Sequence, residues 1–347
     1  MFDCADDVCA YHRDEVTLPK AEQDQMRDRR NANRTRLRKG LEKVSKPAPE
    51  EFVKQGSYAM KTMLRHPDND YDIDDGVYFK KEDLVGERGA EMSSLQARQM
   101  VRDALDDDSF KTAPEVRPNC VRIFYEKGYH VDMPVYRKVT NNGETLYELA
   151  SSSGWKRSDA RDVTDWFEDE RTESSDGVQL RHLVRLIKKY AKTRSSWCGS
   201  ILSGFGITVL VVECQLLDAK REDRALYNTM KMIRDRLNDN LVVEHPVTPD
   251  DTITNGDDDA KARMLRDKLS QALDCLAPLF EANCTRSQAL SCWDNVYNTT
   301  YFSERGENEK RTASASTIKP LATSAVILGL EQKTSAAVLS SGGSRHA

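Results

Sequence analysis

The chain has 347 residues, 38% hydrophobic and 31% charged, a balance that supports folded units with a heavily charged exterior and argues against a disordered chain. Its 52 Lys and Arg stand against 57 Asp and Glu, a formal charge of -5, so there is no global positive field to hold a nucleic-acid polymer and any anionic ligand must be met locally. The longest apolar run, 207–212 with Thr208 inside it, is far short of the roughly 18 residues that a membrane span needs.

Asp3, Asp6 and Asp7 stand where a secretory signal would carry positive charge, so a cytosolic location is expected. The eight cysteines include no CxxC pair and read as reduced thiols buried as small hydrophobes. Cys4, Cys9 and His12 are metal-ligand types, but their spacing fits no common zinc pattern. Thr17 and Pro19 then introduce a long helix over 20–44. Eight of its residues between Arg27 and Lys43 are basic, and Met26, Leu37, Leu41 and Val44 are its few apolar anchors. It reads as a solvated spine lying across other elements, the alternative being a patch that docks phosphates or nucleic acid.

From 52 to 150 the segments shorten and turn β-branched and aromatic. Strands are expected at Gly76–Phe79, 120–125, 130–137 and 146–150, with turns at Gly128 and Asn141-Asn142-Gly143 and three adjacent strands in antiparallel order. Helical periodicity marks 94–105 and then dominates at 178–192, 200–217, 223–237 and 258–280. Beyond 303 the chain becomes rich in Ser, Thr and Ala and reads as a flexible tail with an apolar patch at 325–328. The expected divisions are an N-terminal segment 1–16, a core with its spine helix 17–155, a helical lobe 156–302 and the tail 303–347.

The chemistry concentrates in Gln55-Gly56-Ser57 and in Asp72-Ile73-Asp74-Asp75. On a strand, residues i and i+2 share a face, so Asp72 and Asp74 present two carboxylates together while Ile73 turns to the core. Hard oxygen ligands arranged this way suit Mg²⁺. Asp132, in a strand otherwise made of Val131, Met133, Val135 and Tyr136, would be costly unless it faced a metal or a cation. Gly56 permits close approach of a phosphate, Ser57 offers a hydroxyl, and a helix over 58–64 would add free N–H groups. Asp75 is expected to point away with Ile73, toward a turn donor.

The order hGS, DxD, then a lone strand Asp resembles the polymerase-β-like nucleotidyltransferases. The wording GSYAMKT, DYDIDDGVYF, YHVDMPVY is similar to their cGAS/DncV-like branch in bacterial antiphage signalling. Ser158-Asp159-Ala160-Arg161 with Trp166-Phe167, Leu183 to Lys188, and 202–208 resemble that branch's helical lobe. The resemblance covers roughly residues 17–300. It implies an α+β fold: a mixed sheet with helices, a C-terminal helical lobe and a long N-terminal spine helix.

It further implies that Asp72, Asp74 and Asp132 are catalytic and hold two Mg²⁺ ions, with Mn²⁺ as substitute. Gln55, Gly56 and Ser57 would cradle the phosphates, and Lys188 and Ser203 would grip the same triphosphate from the second lobe. Arg122 would meet a phosphate or base or else form a cross-strand salt bridge, and Arg157, Ser158 and Asp159 would read a base edge. The implied activity is synthesis of a cyclic di- or trinucleotide from ATP, alone or with a second nucleoside triphosphate, by a monomer whose product reaches a downstream effector. An operon-encoded ubiquitin-transfer-like enzyme is the implied partner of Ala347. The other readings are linear products or nucleotidylation of RNA or protein, and a non-enzymatic module that docks nucleic acid through 27–43. With no His/Cys cluster in the second lobe, activation by DNA is not implied.

Overall fold

The structure, a computed structural model, describes residues 1–65, 72–86, 89–125 and 128–317. Met1–Gly306 forms one compact unit and Glu307–Ala347 a second. No helix among the described residues is long and apolar enough to cross a membrane.

A short helix α1 (Ala5–Tyr11) and a π-helical turn (His12–Val16) precede α2 (Lys20–Lys43). Pro19, not Thr17, occupies the N-cap position of α2, because the Thr17 hydroxyl donates to the His12 carbonyl at 2.8 Å. Met26, Asn33, Leu37 and Leu41 form the buried stripe of α2, while Val44 is exposed. The arginines between them are largely committed. Arg29 lies over Tyr129 at 4.2 Å, Arg36 over Phe110 at 4.3 Å and Arg38 over Phe52 at 4.7 Å. Each covers apolar surface with a weakly hydrated cation. α2 is therefore a spine bonded to the core along one side.

The sheet is built from β1 (Glu51–Gln55), β2 (Asp72–Lys80), β3 (Glu115–Val116), β4 (Val121–Phe124), β5 (His130–Met133), β6 (Val135–Asn141), β7 (Glu144–Ser151) and β8 (Gly154–Arg157). Its order is β3-β4-β5-β2-β6-β7-β8, with β1 on β2. The expected strand over 130–137 is interrupted at Pro134, which cannot donate to a ladder. Both pieces nevertheless pair parallel with β2 in one register, Asp72 facing His130 and Val77 facing Val135. The expected run of three antiparallel neighbours is corrected accordingly: β4 pairs antiparallel with β5 and β7 with β6, whereas β2 runs parallel to both. Asn142-Gly143, both at positive φ, closes the two-residue turn between β6 and β7. α4 (Ser94–Leu105) packs Val101 and Leu105 with Leu37 and Leu41 against Val77, Phe79 and Ile123.

The second lobe comprises α5 (Ala160–Glu173), α6 (Gly177–Ala191), α7 (Gly204–Cys214), α8 (Glu222–Asp239), α9 (Ala260–Leu276) and α10 (Arg286–Tyr297). α7 starts four residues later than its periodicity predicts because Ser203 caps it, accepting from Gly206 N at 3.1 Å. The lobe's core also takes in Cys4, Val8, Tyr11 and Val16 from the N-terminal segment. α11 (Tyr301–Thr317) is helical where a flexible tail from 303 is expected. Buried Phe302 anchors its start, and the Glu-Asn-Glu-Lys-Arg stretch that follows is rich in good helix formers. The rest of the expected tail, including 325–328 and Ala347, lies outside the described residues.

Candidate functional site

Alternation along β2 places Asp72 and Asp74 on one face and fully buried Ile73 on the other. Parallel pairing sets Asp132 of β5 directly opposite Asp74, so the third carboxylate falls beside the first two. One oxygen from each lies within 4.8 Å of the others. Asp72 is exposed at the rim, Asp74 is partly buried and Asp132 is buried. Burial, and next the charge of Asp132, push the Asp74 carboxyl up to about 6, against the pull of Arg122.

Arg122 sits across from Asp132 in the antiparallel β4–β5 register. It donates Nε at 2.8 Å and Nη2 at 2.7 Å to the Asp132 carboxylate and lies 3.5 Å from Asp72. Of the two readings open for Arg122, the cross-strand salt bridge is the one seen here. Arg122 thus serves two of the three carboxylates, and their converging hard oxygens fit a divalent cation.

The Gly-Ser segment closes one side of the cluster. Gly56 has φ +60°, and a Cβ there would stand 2.3 Å from Asp74 Oδ2, so any side chain would collide with the carboxylate. Ser57 follows, and its hydroxyl makes no hydrogen bond among the described residues; its carbonyl accepts from Thr62 N at 2.8 Å. The expected helix over 58–64 is corrected to the single turn α3 (Gly56–Ala59). Lys61, at φ +57°, ends it, so little helix dipole is available.

The side chain of Gln55 is also not where a phosphate cradle needs it. It is buried, its amide donates to the Tyr78 hydroxyl at 3.0 Å, and it accepts from the Tyr136 hydroxyl at 3.3 Å. Of the three residues expected to form a phosphate cradle, Gly56 and Ser57 remain as candidates.

Lys188 of α6 is buried. Its Nζ donates to the Thr62 carbonyl at 3.1 Å, and no carboxylate pairs with it among the described residues. Burial, with Lys192 and Arg185 adding repulsion, lowers its pKa to about 7. A Cβ on Gly204 would stand 3.0 Å from Lys188 Cε, which sets the lysine against the first turn of α7 beside exposed Ser203. Lys188 and Ser203 thus come together, and through Thr62 they reach the Ser57 segment of the other lobe.

Arg157, Ser158 and Asp159 are not brought to the carboxylates. Arg157 is exposed on β8 opposite Glu148, and Ser158 N donates to the Tyr147 carbonyl at 3.0 Å. Asp159 caps α5 and accepts from the Tyr78 hydroxyl at 3.1 Å and from Arg161. It belongs to the chain Asp159–Tyr78–Gln55–Tyr136 that supports β1 and β2 from within.

The family model described as "Cyclic GMP-AMP synthase DncV-like, nucleotidyltransferase domain" matches residues 50–136, the segment holding the Gly-Ser turn and all three carboxylates. A curated cyclic GMP-AMP synthase of Escherichia albertii is 26% identical over 234 residues, 65% of this chain and 51% of the relative. The chain therefore spans about half the length of that relative. Escherichia coli DncV, in its 3'-deoxy GTP bound form, superposes with a TM-score of 0.65 at 20% identity, over 82% of this chain and 92% of that one. Vibrio cholerae DncV in complex with the linear intermediate 5' pppA(3',5')pG does so with 0.66 at 18%, over 82% and 91%. Residues 50–136 thus match the nucleotidyltransferase domain of the cGAS/DncV-like proteins, and the chain shares the fold of DncV.

Three participants in this site escape a reading of the sequence. Thr62, the acceptor that places Lys188, stands in an unremarkable Lys-Thr-Met stretch. Tyr78 and Tyr136, stacked with ring centroids 4.5 Å apart, read only as strand residues. Asp75 does turn away with Ile73, but its partner is not a turn donor: Arg34 of α2 donates Nε at 2.7 Å and also Nη2 to this fully buried carboxylate.

Proposed function

We propose that the protein is a nucleotidyltransferase that joins nucleoside triphosphates, ATP with or without a second one, into a cyclic di- or trinucleotide. The observation that carries this reading is the convergence of Asp72, Asp74 and Asp132 within 4.8 Å beside a Gly-Ser turn, with a buried lysine on the second lobe that no carboxylate meets among the described residues. Two divalent ions held by these carboxylates would lower the pKa of an attacking ribose hydroxyl and neutralise the departing pyrophosphate. The chain's own groups bind and orient. The Ser57 hydroxyl donates to a phosphate oxygen, Lys188 supplies a charge from the second lobe with Ser203 beside it, and Arg122 turns to the nucleotide once Asp132 no longer needs it. Attack on the α-phosphate forms one phosphodiester bond and releases pyrophosphate; a second such step closes a dinucleotide ring, and a trinucleotide ring takes a third. The complex of Vibrio cholerae DncV with a linear intermediate supports two steps at one site.

Action in the cytosol in antiphage signalling, and conjugation of the chain through Ala347, rest on the family resemblance. Deleting the residues after Gly343 and looking for lost conjugates in cells tests the second. The central test is incubation with labelled ATP and GTP and Mg²⁺ or Mn²⁺, followed by phosphatase. We expect a phosphatase-resistant product that vanishes in Asp72→Asn/Asp74→Asn while the melting temperature holds. Products that are all phosphatase-sensitive would assign linear synthesis, and activity retained in the double variant would overturn the metal site.

A further inference from the structure

A second concentration of positive charge lies away from the carboxylates. A pocket of about 320 Å³ opens between the first turns of α2, the residues flanking α3, and α6, and its walls include Arg27, Arg30, Lys54, Tyr58, Lys61 and Arg185. Among the described residues no acidic side chain lines it, nor does any of Asp72, Asp74, Asp132, Ser57, Lys188 or Ser203.

Five cations around so small a volume repel one another, and among the described residues Asp24 beside Arg27 and the more distant Glu222 acting on Arg185 offset them only in part. Arg27 is met by Asp24 at 2.9 Å. Arg30 bonds Asn31 at 3.0 Å and lies 5.6 Å over the Tyr58 ring. Lys54, Lys61 and Arg185 have no ion pair among the described residues. Arg185 is the most telling, since it is half-buried, its Nε reaches only the Arg181 carbonyl at 3.4 Å, and burial lowers its pKa to about 10. A guanidinium withdrawn from water beside other cations is costly unless an anion joins it.

We propose that this pocket is a second anion site that takes a compact polyphosphate, free or as the tail of a nucleotide, held jointly by the spine, the core and the helical lobe. The cations enclose a volume at the lower end of small-ligand sites instead of tracking a line, and the net charge of -5 disfavours a long nucleic acid. The site is independent of the carboxylate cluster, so it can be read without divalent ions and apart from product synthesis.

The probe is inorganic tripolyphosphate, titrated calorimetrically into the full chain in EDTA. We expect one site, weakened at least tenfold by Arg185→Gln and by the exposed pair Lys54→Gln/Lys61→Gln, and unchanged by Ser57→Ala and Lys188→Met. Arg185→Gln should leave the ligand-free melting temperature unchanged or raised, since it removes an unpaired charge. ATP binding as tightly as tripolyphosphate assigns a nucleotide tail, and tripolyphosphate at least tenfold tighter assigns a free polyphosphate. No binding in EDTA overturns the proposal. So does binding lost in Lys188→Met but kept in the pocket variants, which would place the anion in the nucleotide cleft. An RNA duplex that binds more tightly than tripolyphosphate with the same variant dependence would overturn it in favour of a polymer.

Discussion

Lys188 is the residue whose environment departs furthest from what its neighbours in sequence imply. In a run of Lys188, Lys189 and Lys192 composition does not mark it as the one turned inward, and only the family resemblance sets it apart before α6 is packed. Its lowered pKa, about 7, fixes a sign. The unfolded chain holds the proton up to about 10.5 and the folded chain releases it near 7, so this group's contribution to stability improves as pH rises through that window. A bound triphosphate should restore the proton, because phosphate oxygens favour the charged form. At pH 8, where Asp74 is already ionised, nucleotide binding should take up nearly one proton, read from calorimetry in two buffers of different ionisation enthalpy. No uptake would remove Lys188 from the phosphates. Ser57→Ala should weaken triphosphate affinity by about 1 to 3 kcal/mol, the cost of one lost bond to a charged acceptor; unchanged affinity would count against the cradle. Asp74 has the opposite sign to Lys188. Its raised pKa costs stability as pH climbs from about 4 to 6, so Asp72→Asn/Asp74→Asn should melt no lower than the parent at pH 7. Gln55-Gly56-Ser57 is legible as a unit, but which of its side chains faces inward depends on Tyr78 and Tyr136 from two other strands, which sequence order cannot reveal.

Between elements, pairing register decides what the site becomes. The DxD alternation is legible because a strand's period is local. That Asp132 stands opposite Asp74 depends on a parallel pairing across more than fifty residues; the cost of an acid in an apolar strand hinted that it faced a cation, and the family resemblance that it joined the other two. The spine helix shows the same limit. Its basic run is plain, yet Arg34 is distinguished only by the buried Asp75 on β2. Removing one partner strands the other away from water, so Arg34→Met should cost about 3 to 5 kcal/mol and lower the melting temperature by roughly 6 °C or more. Arg38→Met, which loses only a cation–π contact with Phe52, should cost about 1 kcal/mol. Calorimetric melting of the two variants checks the difference. Equal small shifts would mean that Asp75 finds another partner and that α2 is held by its apolar stripe alone.

For the compact unit as a whole, the least legible feature is what the first sixteen residues do. Their acidic opening and short apolar spacing read as a separate segment, because the contacts that order them come from more than two hundred residues away. Val8 and Val16 are fully buried with the helical lobe, and the Tyr11 ring packs at a tilt 4.6 Å from that of Tyr297 and 4.9 Å from that of Phe302. Asp7, 2% exposed, accepts from Arg286 at 3.0 Å and Arg305 at 3.1 Å, and Cys4 N donates to buried Asp223 at 2.9 Å. Deleting residues 1–16 would therefore uncover apolar faces of the lobe and leave Asp223 without one of its donors. Four core side chains at about 1.5 to 3 kcal/mol each exceed half the stability of a typical domain. We expect the truncated chain to melt at least 10 °C lower or to aggregate, with Asp7→Asn showing a smaller loss of about 1.5 to 3 kcal/mol as the buried carboxylate's charged bonds to Arg286 and Arg305 are weakened. The two arginines retain partial access to water, so the point variant should still fold and bind nucleotide. Should the truncated chain melt like the parent, the segment would be a passive cover, and the cohesion of the lobe would have to come from α6 to α10 alone.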